Sequence, residues 1–209
     1  MSGQDTMRII AGQWRSRRIL RPEGEQTRPM PDRVKEAVFD LLGSRCGTPG
    51  ALPPLTVADL FSGSGTMGLE ALSRGAATCC FFEKHPLALK ALRANLHALD
   101  VGPCGRIMPV DAWKDPWSRL ADSDSIDLLL LDPPYCDSRD ASPTGKVARL
   151  LTTAATSGRM HAEALALLHH EVDTEYAPDV ARGWAVVDRR VYGRNQIVVF
   201  RRLETNPTA

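Results

Sequence analysis

Four consecutive leucines, Leu128 to Leu131, run straight into Asp132-Pro-Pro-Tyr135. A run of aliphatic residues with no polar alternation reads as a strand covered on both faces, as inside a parallel sheet flanked by helices. Proline cannot donate to a sheet ladder, so Pro133 and Pro134 end the strand and stiffen the turn beyond it. The chain thus delivers a carboxylate, rigid backbone carbonyls and an aromatic ring to the C-terminal edge of a buried strand. In open α/β sheets ligands bind at that edge. An acceptor pair beside a ring suits a planar heterocycle bearing an NH2 group.

The segments upstream indicate what that edge faces. Residues 56–61 read as a strand, residues 62–65 as a glycine loop and the stretch to Leu72 as a helix. Gly63, Gly65 and Gly68 fit G-x-G-x-x-G in the context that gives the pattern weight. Gly63 permits the tight turn, Gly65 lets a ligand approach the backbone, and Gly68 lets the helix sit against the strand. The next strand, 78–82, ends in Glu83, an acid that can accept from both hydroxyls of a ribose. A third, 106–110, ends at Asp111, where a carboxylate can accept from an adenine amino group. Any tight βα turn would explain the glycines alone, and a turn carboxylate would explain Asp111 alone. Glu83 favours a nucleoside-type cofactor.

The remaining order supports a fold. A helix over 87–99 turns Leu89, Leu92, Leu96 and Leu99 to the core. After the central strand, 136–143 is polar and lies where a substrate-side lid would be. A helix over 144–157 and a buried strand over 164–168 come next. Residues 185–193 and 196–201 form a terminal antiparallel hairpin. His169 and His170 are adjacent on a strand, point to opposite faces, and read as structural. Trp113 and Trp117 read as packing residues. The expected architecture is α/β: a doubly wound, Rossmann-like, seven-stranded, mostly parallel sheet with a C-terminal antiparallel hairpin.

A small hairpin–helix extension precedes it. Residues 8–20 look like a short hairpin carrying Trp14 and a basic run. The next stretch, to Leu42, is an amphipathic helix opened by prolines, with Val34, Val38 and Leu41 inward and Arg33 and Lys35 off the apolar stripe. The Gly- and Pro-rich segment 43–54 reads as a linker. The expected division is a basic extension at 1–50, a catalytic domain at 51–203 and a disordered tail at 204–209. The net charge of +1 hides an asymmetry: residues 1–35 and 182–209 each carry +4, and the middle carries −7. Basic ends on an acidic body suggest a polyanionic partner, with a solvated surface as the alternative. Five cysteines, an odd number with no C-x-x-C pair, support neither a disulfide framework nor a zinc site, and no metal is expected. Cys79 and Cys80 read as core. The polar start shows no signal peptide, and no apolar run is long enough for a membrane span. A cytoplasmic protein with no membrane partner is expected.

Two motifs give a resemblance. Asp59-Leu-Phe-Ser-Gly-Ser-Gly-Thr-Met-Gly68 resembles the first motif of class I S-adenosylmethionine-dependent methyltransferases, and Asp132-Pro-Pro-Tyr135 matches the motif of those that methylate exocyclic amines of bases. Residues 8–20, Arg28-Pro29, residues 32–39 and Tyr192-Gly193 look like the bacterial RsmD-type family, which methylates N2 of a guanine in 16S ribosomal RNA. The similarity runs from about Arg8 to Arg201. The family usually has Thr where Met30 stands, so a hydroxyl near Arg28 is missing.

The resemblance implies S-adenosyl-L-methionine as cofactor, held by Asp59, Phe61, Ser62, Gly63, Ser64, Gly65, Gly68, Glu83, Lys84, Asp111 and Ala112. It implies catalysis by Asp132, Pro133, Pro134 and Tyr135. The Asp132 carboxylate and Pro133 carbonyl would accept the two N–H bonds of the amine, and Tyr135 would stack on a base turned out for reaction. Arg8, Arg15, Arg17, Arg18, Arg28, Arg33 and Lys35 become the RNA grip. The expected partner is 16S ribosomal RNA or the small ribosomal subunit, met by a monomer. The alternatives are a methyltransferase for amines of DNA or another RNA, a nicotinamide-dependent oxidoreductase, and a non-catalytic RNA-binding assembly protein.

Overall fold

The computed structural model describes residues 7–22, 30–177 and 179–203. The tail at 204–209 and Arg28 lie outside the described residues. The fold is α/β, with one seven-stranded, mostly parallel sheet. The chain forms two compact units divided after Val110.

The first unit opens with a two-stranded antiparallel ribbon, β1 (Met7–Arg8) and β2 (Arg18–Ile19), in which Met7 faces Ile19. Helix α1 (Asp32–Arg45) comes next. Pro31 holds the cap position, because a proline within the helix would remove a hydrogen bond. The buried face is Val34, Lys35, Val38, Phe39, Leu42 and Gly43. Three expectations change here. Leu41 is only half-buried, since the i, i+4, i+8 row of Val34, Val38 and Leu42 follows a 3.6-residue period more closely. Lys35 lies on the buried face rather than off it. The helix also runs into the expected linker.

Strands β3 (Thr56–Asp59), β4 (Thr78–Phe82) and β5 (Gly105–Met108) are parallel, in the order β5-β4-β3. Helices α2 (Thr66–Ser73) and α3 (Pro86–Ala98) make the crossovers. Val57, Ala58, Cys79, Cys80, Phe81 and Phe82 are fully enclosed, so both cysteines are core. Burial pushes the Cys79 thiol well up, which keeps it protonated.

In the second unit β6 (Ile126–Leu131) pairs in parallel with β7 (Met160–Glu171). Strand β9 (Asn195–Arg202) pairs antiparallel with β7, and β8 (Trp184–Tyr192) lies outside β9. Leu128 to Leu131 are at most 1% exposed, as a strand covered on both faces requires. The turn α4 (Tyr135–Ser138) succeeds the two prolines, and α5 (Lys146–Thr156) returns the chain to β7. Strand β7 spans 12 residues, far beyond the expected 164–168. Its polar start gave no apolar signal, but pairing with β6 and β9 recruits it.

Candidate active site

In the first unit the end of β3 and the loop after it are knotted by their own polar atoms. Asp59, 1% exposed, accepts the Gly68 N–H at 2.9 Å, so its carboxylate sits at the N-terminus of α2, where negative charge is favoured. Ser62 donates its hydroxyl to the Asp59 carbonyl at 2.7 Å, and the Gly65 N–H returns to the Ser62 carbonyl at 2.7 Å. Glu83, half-buried at the end of β4, accepts three backbone N–H groups: Gly63 at 2.9 Å, and Lys84 and His85 at 2.7 Å each. The strand end and the glycine loop are therefore one hydrogen-bonded piece. Phe61 is half-buried, Ser64 is buried and the Lys84 side chain is exposed.

The glycines divide their work differently from the expectation. Gly63 has φ +55 and open space where a Cβ would point. Gly65 has φ +90, and a Cβ there would meet Leu92 Cδ1 at 2.6 Å; its need for glycine comes from the backbone and from α3, not from a ligand on that side. Gly68 seats α2 on β4, because a Cβ would come within 2.4 Å of the Phe81 ring and 2.7 Å of Cys79 Sγ.

The expected RNA-grip residues fall into three groups. Arg15, Arg18 and Arg33 are exposed. Arg8 and Arg17 are exposed too, but Arg8 donates to Asp32 at 2.9 Å and Arg17 to the Ala98 carbonyl at 2.7 Å. Lys35 is 3% exposed and donates to the Arg8 carbonyl at 2.7 Å, so it has no reach to a phosphate. Desolvation lowers its pKa, with the nearby Glu70 opposing.

Glu70 was not singled out by the sequence and is wholly buried. Its carboxylate accepts the Ile10 and Ala11 N–H groups at 2.8 and 3.0 Å and the Arg74 Nε at 2.8 Å, latching the hairpin onto α2. Arg74 reaches on to Asp40 at 3.1 Å and covers the Phe39 ring. Asn95 on α3 ties Leu20 of the hairpin to the Ser64 carbonyl of the glycine loop.

In the second unit Asp132 ends β6, with its side chain 31% exposed. Pro133 is buried, Pro134 is exposed, and Tyr135 is half-buried at the start of α4. His169, 2% exposed, brings Nδ1 to 2.8 Å from Asp132 Oδ1. Its Nε2 lies 2.9 Å from Asn195 Oδ1, which also accepts the Tyr135 hydroxyl at 3.3 Å. The Tyr135 ring meets the His169 ring edge-on, with centroids 5.9 Å apart. Burial raises the Tyr135 pKa, and Asp132 adds to the effect.

The purely structural reading of His169 is therefore corrected: it touches the carboxylate of the central motif. The register explains why. Leu131 faces Leu168, so the next step along both strands sets His169 beside Asp132. His170 does point to the opposite face, where it is fully buried and meets Tyr176 edge-on. Burial lowers the His170 pKa to about 4, so it stays neutral. Asn195, at the start of β9, gave no sequence signal.

Asp111 and Ala112 begin the second unit. Asp111 is half-buried and accepts the Trp113 N–H at 3.1 Å, while Ala112 is buried. Among the described residues no cluster of three or more His, Cys, Asp or Glu side chains is arranged to hold a metal ion, and no helix is long and apolar enough to cross a membrane.

Residues 7–201 match the family model described as "Conserved hypothetical protein 95". Ribosomal RNA small subunit methyltransferase D of Escherichia coli K12 is 30% identical over 202 residues, covering 96% of this chain and 92% of the relative. The Bacillus subtilis YlbH protein is 26% identical over 94% of this chain and 99% of its own. Among solved structures, the Escherichia coli yhhF protein superposes with a TM-score of 0.74 at 28% identity, covering 96% of this chain and 99% of that one.

Proposed function

We propose, on the premise that the chain belongs to the conserved hypothetical protein 95 family, that it is a cytoplasmic, monomeric methyltransferase acting on N2 of a guanine in 16S ribosomal RNA, on a small-subunit assembly particle. The observation that carries this reading is the Asp132 carboxylate, part-exposed at the end of a buried strand and held in place by His169.

The cofactor in this reading is S-adenosyl-L-methionine, whose sulfonium supplies an activated methyl group. The residues of the first unit fit it. Glu83 is half-exposed, oriented by three N–H groups, and offers the acceptor position left on Oε2 to a ribose hydroxyl. The loop turns at Gly63 with open space on its Cβ side. The N-terminal N–H groups of α2 favour a carboxylate. Asp59, Ser62, Ser64 and Gly68 hold that loop, and Phe61 and Lys84 flank it.

The amine is the difficult partner, because guanine's exocyclic lone pair is delocalised into the ring. The Asp132 carboxylate and the Pro133 carbonyl accept its two N–H bonds and so localise the lone pair on nitrogen. Pro134 stiffens this turn. Tyr135 stacks on the base, its ring oriented through the hydroxyl bond to Asn195. Alignment of this kind contributes up to ~7–11 kcal/mol in favourable cases. The first fifty residues serve as the RNA-binding extension, with Arg8, Arg15, Arg17, Arg18 and Arg33 on its surface and Arg28 in the same role.

The test is transfer of a radioactive methyl group from the cofactor to naked 16S RNA and to small-subunit particles, with mapping of the modified nucleotide. Label on N2 of a single guanine is expected. Label confined to DNA, to protein or to another base position overturns the substrate assignment.

A further inference from the structure

We propose that His169 and Asn195 are positioning residues for Asp132, and that Asp132 and His169 share one proton, so that the carboxylate works as half of a neutral carboxylate–imidazolium pair. The catalytic meaning of this proposal rests on Asp132 being the amine acceptor; the placement of the proton does not.

Asn195 fixes the direction of the hydrogen bonds. Its Nδ2 donates to the Tyr192 carbonyl at 3.1 Å, which sets the amide and turns Oδ1 toward His169. An amide oxygen can only accept, and this one lies 2.9 Å from His169 Nε2. Nε2 therefore carries a hydrogen. If the ring were neutral, Nδ1 would present a lone pair to Asp132 Oδ1 at 2.8 Å, and two acceptors at that distance repel. A proton must lie between them. The raised pKa of the ring puts that proton on Nδ1, so both ring nitrogens are donors, and Asn195 and Asp132 satisfy them both.

The surroundings agree. Burial opposes a charge on His169, yet the Asp132 charge and the bonds to Asp132 and Asn195 outweigh it and raise its pKa above 6.5. His170, next along the strand, adds no competing charge near neutral pH, because burial keeps it neutral. The Tyr135 and His169 rings stand nearly perpendicular, and the other charges near Tyr135 are Glu171 and Arg194. The consequence is orientational: Oδ1 is committed to His169, and Oδ2 is left for an amine N–H. When His169 loses its second proton, Oδ1 loses its donor and the carboxylate loses its fixed rotamer.

Two variants separate this role from simple packing. His169→Asn keeps a donor where Nδ1 stands; His169→Gln keeps one only toward Asn195. His169→Gln lowers kcat about 10–100-fold with KM little changed, and His169→Asn restores most of the rate but lacks the wild-type loss at alkaline pH. An independent readout uses no substrate: nitrogen NMR of the imidazole rings in the intact protein. It shows both His169 nitrogens still protonated at a pH where an ordinary histidine has already lost its second proton. A single-proton tautomer of His169 at that pH overturns the proposal, as does wild-type kcat in a folded His169→Gln protein. If the wild type methylates no nucleic acid, the functional reading fails, and the NMR result alone decides where the proton lies.

Discussion

Asn95 binds both backbone groups of Leu20, accepting its N–H at 2.8 Å and donating to its carbonyl at 3.0 Å, as a neighbouring strand would. The same Nδ2 also gives to the Ser64 carbonyl at 2.9 Å. One buried amide thus joins the N-terminal hairpin to the glycine loop. Asn95→Ala leaves these groups without their partner and costs about 1–3 kcal/mol. Chemical denaturation reads the loss, and calorimetry reads weaker binding of S-adenosylhomocysteine. Unchanged cofactor affinity would show that the link to Ser64 does not shape the loop.

Among the described residues Glu70 is the only carboxylate that is completely buried, and it faces Arg74 and Lys35. Glu70→Gln removes the buried charge partner of Arg74 and Lys35 and leaves Arg74 only the exposed Asp40, at about 3–5 kcal/mol. Lys35→Met costs much less, because Glu70 keeps Arg74 and two backbone N–H groups. Urea midpoints of the two variants should fall in that order.

Surface exposure separates the basic residues in RNA binding. Alanine at Arg15, Arg18 or Arg33 should weaken RNA binding and flatten its salt dependence by about one unit of log–log slope each. Lys35→Met should leave that slope unchanged, since its ammonium is committed to the Arg8 carbonyl. A filter-binding salt titration makes the comparison.

Gly63 and Gly68 should fail in different ways. Gly68→Ala drives a methyl group against Phe81 and Cys79 and costs about 1–3 kcal/mol in folding. Gly63→Ala meets no atom and loses about 1–2 kcal/mol to its positive φ, so its larger defect should be in cofactor affinity. Thermal unfolding with and without S-adenosylhomocysteine distinguishes them.

The two adjacent histidines should give stability opposite pH limbs. The folded pKa of His170 is about 4, below its ordinary 6.5, so the unfolded chain binds more protons between those values and stability falls as pH drops through them. The folded pKa of His169 is raised, so its contribution is fully present below 6.5 and is lost as pH rises through the folded value. Urea midpoints from about pH 4 to about pH 9 should lose the acid limb in His170→Phe and the alkaline limb in His169→Asn. An acid limb of unchanged size in His170→Phe would assign it to other groups.

The parts whose physics is local were legible in the residues alone. Leu128 to Leu131 can only be a covered strand, Pro133 and Pro134 can only end it, and glycine spacing after a strand marks a βα loop with Glu83 one strand further on. Those signals gave the sheet, the loop and the Asp132–Tyr135 motif. Tertiary structure decided everything that depends on which segments lie side by side. Lys35 looked like a surface cation until Glu70 and the hairpin closed over it. His169 looked like one of two inert histidines until the pairing of β6 with β7 set it against Asp132, and β9 brought Asn195 to its other nitrogen. Periodicity tells which face of a strand a side chain takes; only register tells whose atoms it meets there.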